Sequence, residues 1–95
     1  KDVIRREVRR HRNEISHCYE KGLARRPDIA GRVTVRFIIG GNGAVQVAAV
    51  ADSSLGDAGV EQCISRAIRR MAFPRPTDGG VVIVNYPFSL TSSEG

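Results

Sequence analysis

Near the middle of the chain, Val33, Val35, Phe37 and Ile39 alternate with Arg32, Thr34 and Arg36 until the run meets Gly40-Gly41-Asn42-Gly43. A two-residue period belongs to a strand with one face in a core. Glycine and asparagine tolerate the positive φ angles that hairpin turns need. The segment therefore predicts a β-hairpin, with residues 44–51 as the return strand and Val45, Val47 and Ala49 on one of its sides. Everything else must pack around that hairpin.

The flanking segments have a different period. Ile4, Val8, His11, Ile15, Cys18 and Gly22 recur at spacings of four and three, with Tyr19 beside them. This stripe predicts one helix over residues 3–25. Lys21, Arg25 and Arg26 complement the helix dipole at its C-terminal end, and Pro27 stops it. After the hairpin, Ser53, Ser54 and Asp57 offer capping oxygens for a helix over residues 58–71. Val60, Cys63, Ile64, Ala67, Ile68 and Met71 share one of its faces. Phe73-Pro74-Arg75-Pro76 ends it, and Asp78-Gly79-Gly80 is a turn. Residues 81–90 read as a third strand, with Val82, Val84, Tyr86, Phe88 and Leu90 on the more apolar face. The tail from Thr91 to Gly95 reads as disordered.

The fold class is therefore α+β, with elements in the order αββαβ. The third strand returns after a helix and fits beside the first, giving a three-stranded antiparallel sheet in the order 2-1-3 with both helices on one face. Pro87 suits an edge strand because proline cannot donate to neighbours on both sides. At 95 residues, 41% hydrophobic and 26% charged, the chain reads as one globular domain with an ordered core of about residues 3–90. Its start at Lys1, directly in a helical pattern, reads as an excerpt of a larger protein. No stretch is apolar and long enough to insert in a bilayer.

The net charge of +5 resides in one segment: residues 1–26 carry nine Lys or Arg against four Asp or Glu, and the rest carry six of each. Arg5, Arg6, Arg9, Arg10 and Arg12 form a basic face that could meet phosphates, so a basic nucleic-acid-binding module is one reading. Against it, Tyr19, Phe37, Phe73, Tyr86 and Phe88 all fit core or turn positions, leaving no platform for bases. A solvated helix face is the plainer reading.

Little points to catalysis, metal or cofactor. His11 and His17 stand about 240° apart around a helix, and His11 and Cys18 stand about 10 Å apart along it. Neither pair can share a metal ion directly. His17 and Cys18 are adjacent and diverge by about 100°, which sets up no nucleophile–base pair. The glycine run leads into a strand, whereas phosphate loops open onto a helix. The expectation is a non-catalytic binding domain with no catalytic residue, no metal and no cofactor. Its best binding surface is the edge of the third strand, Val81, Val82, Ile83, Val84, Asn85 and Tyr86, where an extended peptide could add. Cys18 and Cys63 both lie on buried helix faces. They can bond if the helices pack side by side; otherwise they are two small buried hydrophobes.

In combination these pieces resemble the TonB-like C-terminal domains, and among them the subgroup named for the AgmX/PglI proteins of myxobacterial gliding motility. The matching residues are Cys18-Tyr19-Glu20, Pro27 to Gly31 with the strand Val33 to Ile39, and Gly41-Asn42-Gly43 with Val45. Ser53-Ser54-Leu55, Val60-Glu61-Gln62-Cys63-Ile64, Phe73-Pro74 and Val84-Asn85-Tyr86-Pro87-Phe88 follow in order. The resemblance covers roughly residues 3–90. It implies a periplasmic domain of an inner-membrane-anchored protein, linked through upstream regions to a proton-driven motor. It implies outer-membrane or periplasmic partners, taken by strand addition at the region Val81 to Tyr86, and a Cys18–Cys63 disulfide. The cysteines and the Tyr86-Pro87-Phe88 ending depart from iron-transport TonB and favour gliding machinery. A TonB- or TolA-type transducer for outer-membrane transport or envelope integrity is the alternative within the same family.

Overall fold

A computed structural model describes residues 2–91; Lys1 and most of the tail expected to be disordered, residues 92–95, lie outside that description. The elements are α1 (Asp2–Arg10), α2 (Arg12–Arg25), β1 (Gly31–Ile39), β2 (Val45–Ser53), α3 (Ala58–Arg69) and β3 (Val82–Leu90). The three antiparallel strands run in the order β2-β1-β3, and the helices cover one face. Val33, Val35, Phe37 and Ile39 of the central strand are buried against Ile15 and Cys18 of α2 and Val60, Ile64 and Ile68 of α3. The anticipated architecture is present, with three local differences.

First, the N-terminal stripe forms two helices. At His11 the backbone tightens: His11 N–H bonds to Val8 O at 3.0 Å and Glu14 N–H to His11 O at 3.1 Å. These are i→i−3 bonds of the 3₁₀ kind. No proline or glycine marks the break, so the sequence periodicity runs through it. The junction lets α1 keep Val8 in the core, 3% exposed, while α2 packs against α3.

Second, β2 is bulged twice. Ile38 pairs with Val47 but Ile39 with Val45, leaving Gln46 extra; Thr34 pairs with Asp52 but Val35 with Val50, leaving Ala51 extra. Each extra residue switches the faces of the strand. Val45 and Val50 pack on the core and Ala48 is buried, while Val47 and Ala49 are exposed on the open face. A strict two-residue period, which put Val45, Val47 and Ala49 on one side, misses this. Third, β3 begins at Val82, so Val81 precedes it, and α3 ends at Arg69 rather than near 71.

The hairpin turn needs glycine at residue 43 for two reasons. Its φ is +88°, and a Cβ there would strike the Phe73 carbonyl oxygen. Gly43 O also accepts from Phe73 N–H at 2.9 Å, which ties the turn to the segment after α3. The Phe73 ring lies 5.7 Å from that of Phe37.

Asp57 starts α3. Its carboxylate accepts Val60 N–H at 3.0 Å and takes Arg25 Nη2 at 3.1 Å on both oxygens, joining α2 to α3. The bond from Val60 N–H, helped by Arg25, holds its carboxyl below the usual carboxylate range. Such a group adds stability above its unfolded-state pKa and loses it as pH falls through the folded one. Wild-type protein is therefore expected to lose melting temperature below about pH 4. Asp57→Asn, which can still cap, should flatten that part of a Tm-against-pH curve.

Candidate functional site

With β1 in the centre, β3 is an edge strand, bonded on one side only. Proline fixes which of its groups face outward. Pro87 pairs with Thr34 in register and has no N–H to give. The ladder to β1 stays whole only if Pro87 occupies a non-hydrogen-bonded pair, its nitrogen turned to the free edge. Parity then places the backbone N–H and C=O of Ile83, Asn85 and Ser89 on the free edge as well. Val82, Val84, Tyr86 and Phe88 exchange their bonds with β1. The stretch singled out from sequence is thus an edge with two successive outward N–H groups, at Ile83 and Asn85, then a gap at Pro87. Val81 stands just before the strand, 59% exposed.

The side chains of β3 divide by face. Val82, Val84, Tyr86 and Phe88 are half-buried toward the helices, with the Tyr86 and Phe88 rings 5.0 Å apart. Ile83, Asn85, Pro87 and Ser89 are exposed on the open face. There Ile38 is flanked in register by Val47 on β2 and Ile83 on β3. Val47 and Ile83 are 51% and 53% exposed, so an apolar row crosses the uncovered side of the sheet and stops at the free edge.

Two troughs run along β3 on the helix side. One, of about 460 Å³, is lined by Ile4, Arg5 and residues 82–87. The other, of about 280 Å³, is lined by Val8, Arg9, Arg12, Ile15, Ser16 and residues 86–90. They share Tyr86 and Pro87. The fold thereby brings together two features that are far apart in the sequence, the edge strand and part of the basic face. Arg5, Arg9 and Arg12 wall the troughs; Arg6 and Arg10 do not, and Arg10 pairs with Glu7 at 3.2 Å. Only the return of β3 beside β1, under α1, makes this convergence, so the arginine face alone gave no sign of it.

The remaining candidates are structural. Cys18 and Cys63 form a disulfide joining α2 to α3, with Cα atoms 5.6 Å apart. His11 Nε2 lies 3.1 Å from Glu7 Oε2 and Nδ1 lies 3.4 Å from Glu14 Oε1, which accounts for its half-buried place at the helix junction. Arg70 bonds Glu14 at 3.1 Å and is the main cause holding that carboxyl below its usual range. The Tyr19 hydroxyl donates to Ile29 O at 2.6 Å within the core. Tyr19, Phe37 and Phe73 are all buried and offer no surface to a base.

No family model matches the chain. Among solved structures it is similar to an NMR solution structure of the Helicobacter pylori TonB C-terminal domain, with a TM-score of 0.57 and 23% identity over 86% of this chain and 80% of that one. A shorter form of the same domain matches with a TM-score of 0.54 and 26% identity, covering 77% of this chain and 78% of that one. This chain has the fold of a TonB C-terminal domain. Among curated proteins, the chain is 34% identical over 88 residues to the tyrosine-protein kinase MasK of Myxococcus xanthus (strain DK1622). That match takes in 93% of the chain but spans only 13% of the kinase's length. No helix among the described residues is long and apolar enough to cross a membrane.

Proposed function

We propose that this domain is a non-catalytic periplasmic adaptor that captures a protein partner by strand addition at the free edge of β3. In this reading it belongs to the AgmX/PglI subgroup and is carried by an inner-membrane-anchored protein. It links a proton-driven motor to outer-membrane partners in gliding motility. The observation that carries the proposal is the edge itself: outward backbone groups at Ile83 and Asn85 above a trough that can seat side chains. Strand addition needs both, since main-chain bonds supply affinity and side-chain seats supply selectivity. The likeness to a myxobacterial protein supports the motility setting over nutrient uptake, and the bridge between Cys18 and Cys63 fits an oxidising compartment.

Asn85→Pro tests the site. Residue 85 has the parity of native Pro87, so proline there should leave the β1 ladder intact and remove one outward N–H. The expected result is an unchanged circular dichroism spectrum with loss of the partner captured from outer-membrane extract. A matched substitution on the far edge, Ala49→Ser, should retain it. Undiminished capture by a folded Asn85→Pro protein rules the edge out.

A further inference from the structure

The free edge of β3 is flanked by charge of one sign. Arg5, Arg9 and Arg12 are exposed, line the two troughs beside the strand, and form no ion pair among the described residues. No carboxylate lines either trough. A strand added to β3 would carry the sheet on beneath this wall. Its residues opposite Val84, Tyr86 and Phe88 would share their face and point at the arginines. Those opposite Ile83 and Asn85 would point to the open side.

Resting on the strand-addition reading, we infer that the partner segment is an extended acidic peptide with carboxylates at alternating positions on the helix side. Beside them, on the open side, it places an apolar residue opposite Ile83. The spacing fits. Arg5 to Arg9, both on α1, spans about 6 Å of helix. Alternate residues of a strand stand about 6.7 Å apart. On the open side, an apolar residue beside Ile83 lengthens the row formed by Val47, Ile38 and Ile83 and covers its exposed end. The unpaired backbone favours a peptide over a polyanion such as nucleic acid or a lipid surface, because a phosphate chain cannot answer alternating N–H and C=O groups.

The test uses two synthetic peptides of alternating residues, one Glu/Val and one Gln/Val, titrated into this isotope-labelled chain with its disulfide intact. The Glu/Val peptide should bind about tenfold tighter, which is about 1.4 kcal/mol spread over three exposed ion pairs. It should shift the amide signals of Ile83 and Asn85, and the preference should shrink with added salt. The triple variant Arg5→Gln, Arg9→Gln, Arg12→Gln should bind both peptides alike, while Arg6→Gln, Arg10→Gln keeps the preference. Equal binding of both peptides to wild type, with Ile83 and Asn85 shifted, overturns the acidic preference and leaves strand addition standing. If neither peptide moves those amides, strand addition falls and this inference with it. Phosphatidylglycerol vesicles that engage the same three arginines and displace the Glu/Val peptide would assign the wall to lipid headgroups and overturn it too.

Discussion

Removing the Cys18–Cys63 bridge, by reduction or by the double change Cys18→Ala, Cys63→Ala, is expected to lower the unfolding free energy by about 4 kcal/mol. The bridge spans 45 residues. In the chain-entropy model a loop of that size, held closed in the unfolded state, sacrifices that much conformational freedom before folding begins. A domain of this length has a stability of roughly 5–15 kcal/mol, so the loss is a large part of the total. The location sharpens the effect. The bridge fastens α2 to α3 across β1, joining the same two helices that Arg25 and Asp57 join at 3.1 Å. Urea unfolding with and without reductant measures it: the midpoint should fall markedly. Because the unfolded chain expands once unbridged, the slope should rise as well. An unchanged midpoint would show that the helices are held by packing alone.

Phe37→Ala is the second large expected effect, a loss of about 3–5 kcal/mol. Phe37 is fully buried on the central strand. Its neighbours on both sides are fixed by register, Ala48 on β2 and Val84 on β3, so the walls cannot close in without shifting the sheet. The ring also contacts Phe73, which is tied through Gly43 to the hairpin turn. Truncation thus opens a cavity and loosens the segment that leads toward β3. Phe37→Leu, which keeps most of the volume, should cost much less. Thermal melts of the two variants, both with the disulfide intact, separate cavity formation from loss of the ring contact.

Most of the fold could be read from periodicity because each element presents a single face to one core. The four-and-three stripe through Ile15, Cys18 and Gly22, the alternation from Val33 to Ile39 and the glycine turn are local signals with one physical meaning each. The errors arose where tertiary packing overrode them. Nothing in Arg10-His11-Arg12 predicts a helix junction; it is set by how α1 and α2 meet the sheet separately. The bulges at Gln46 and Ala51 are likewise invisible in a strand of valines and alanines. The edge of β3 was legible through Pro87. The trough beside it was not, since Ile4, Arg5 and Arg9 lie some eighty residues from Tyr86 in sequence and meet it only after the third strand docks.

Those bulges have a further effect on self-association. Copies of a sheet with two regular edges can join head to tail without limit, the outer strand of one against the opposite strand of the next, and such growth yields a fibre. Here the β2 side presents a ladder interrupted at Gln46 and again at Ala51, a poor template for another backbone. Among the described residues the β3 side is the more regular edge, and two molecules pairing through it would terminate as a closed twofold dimer.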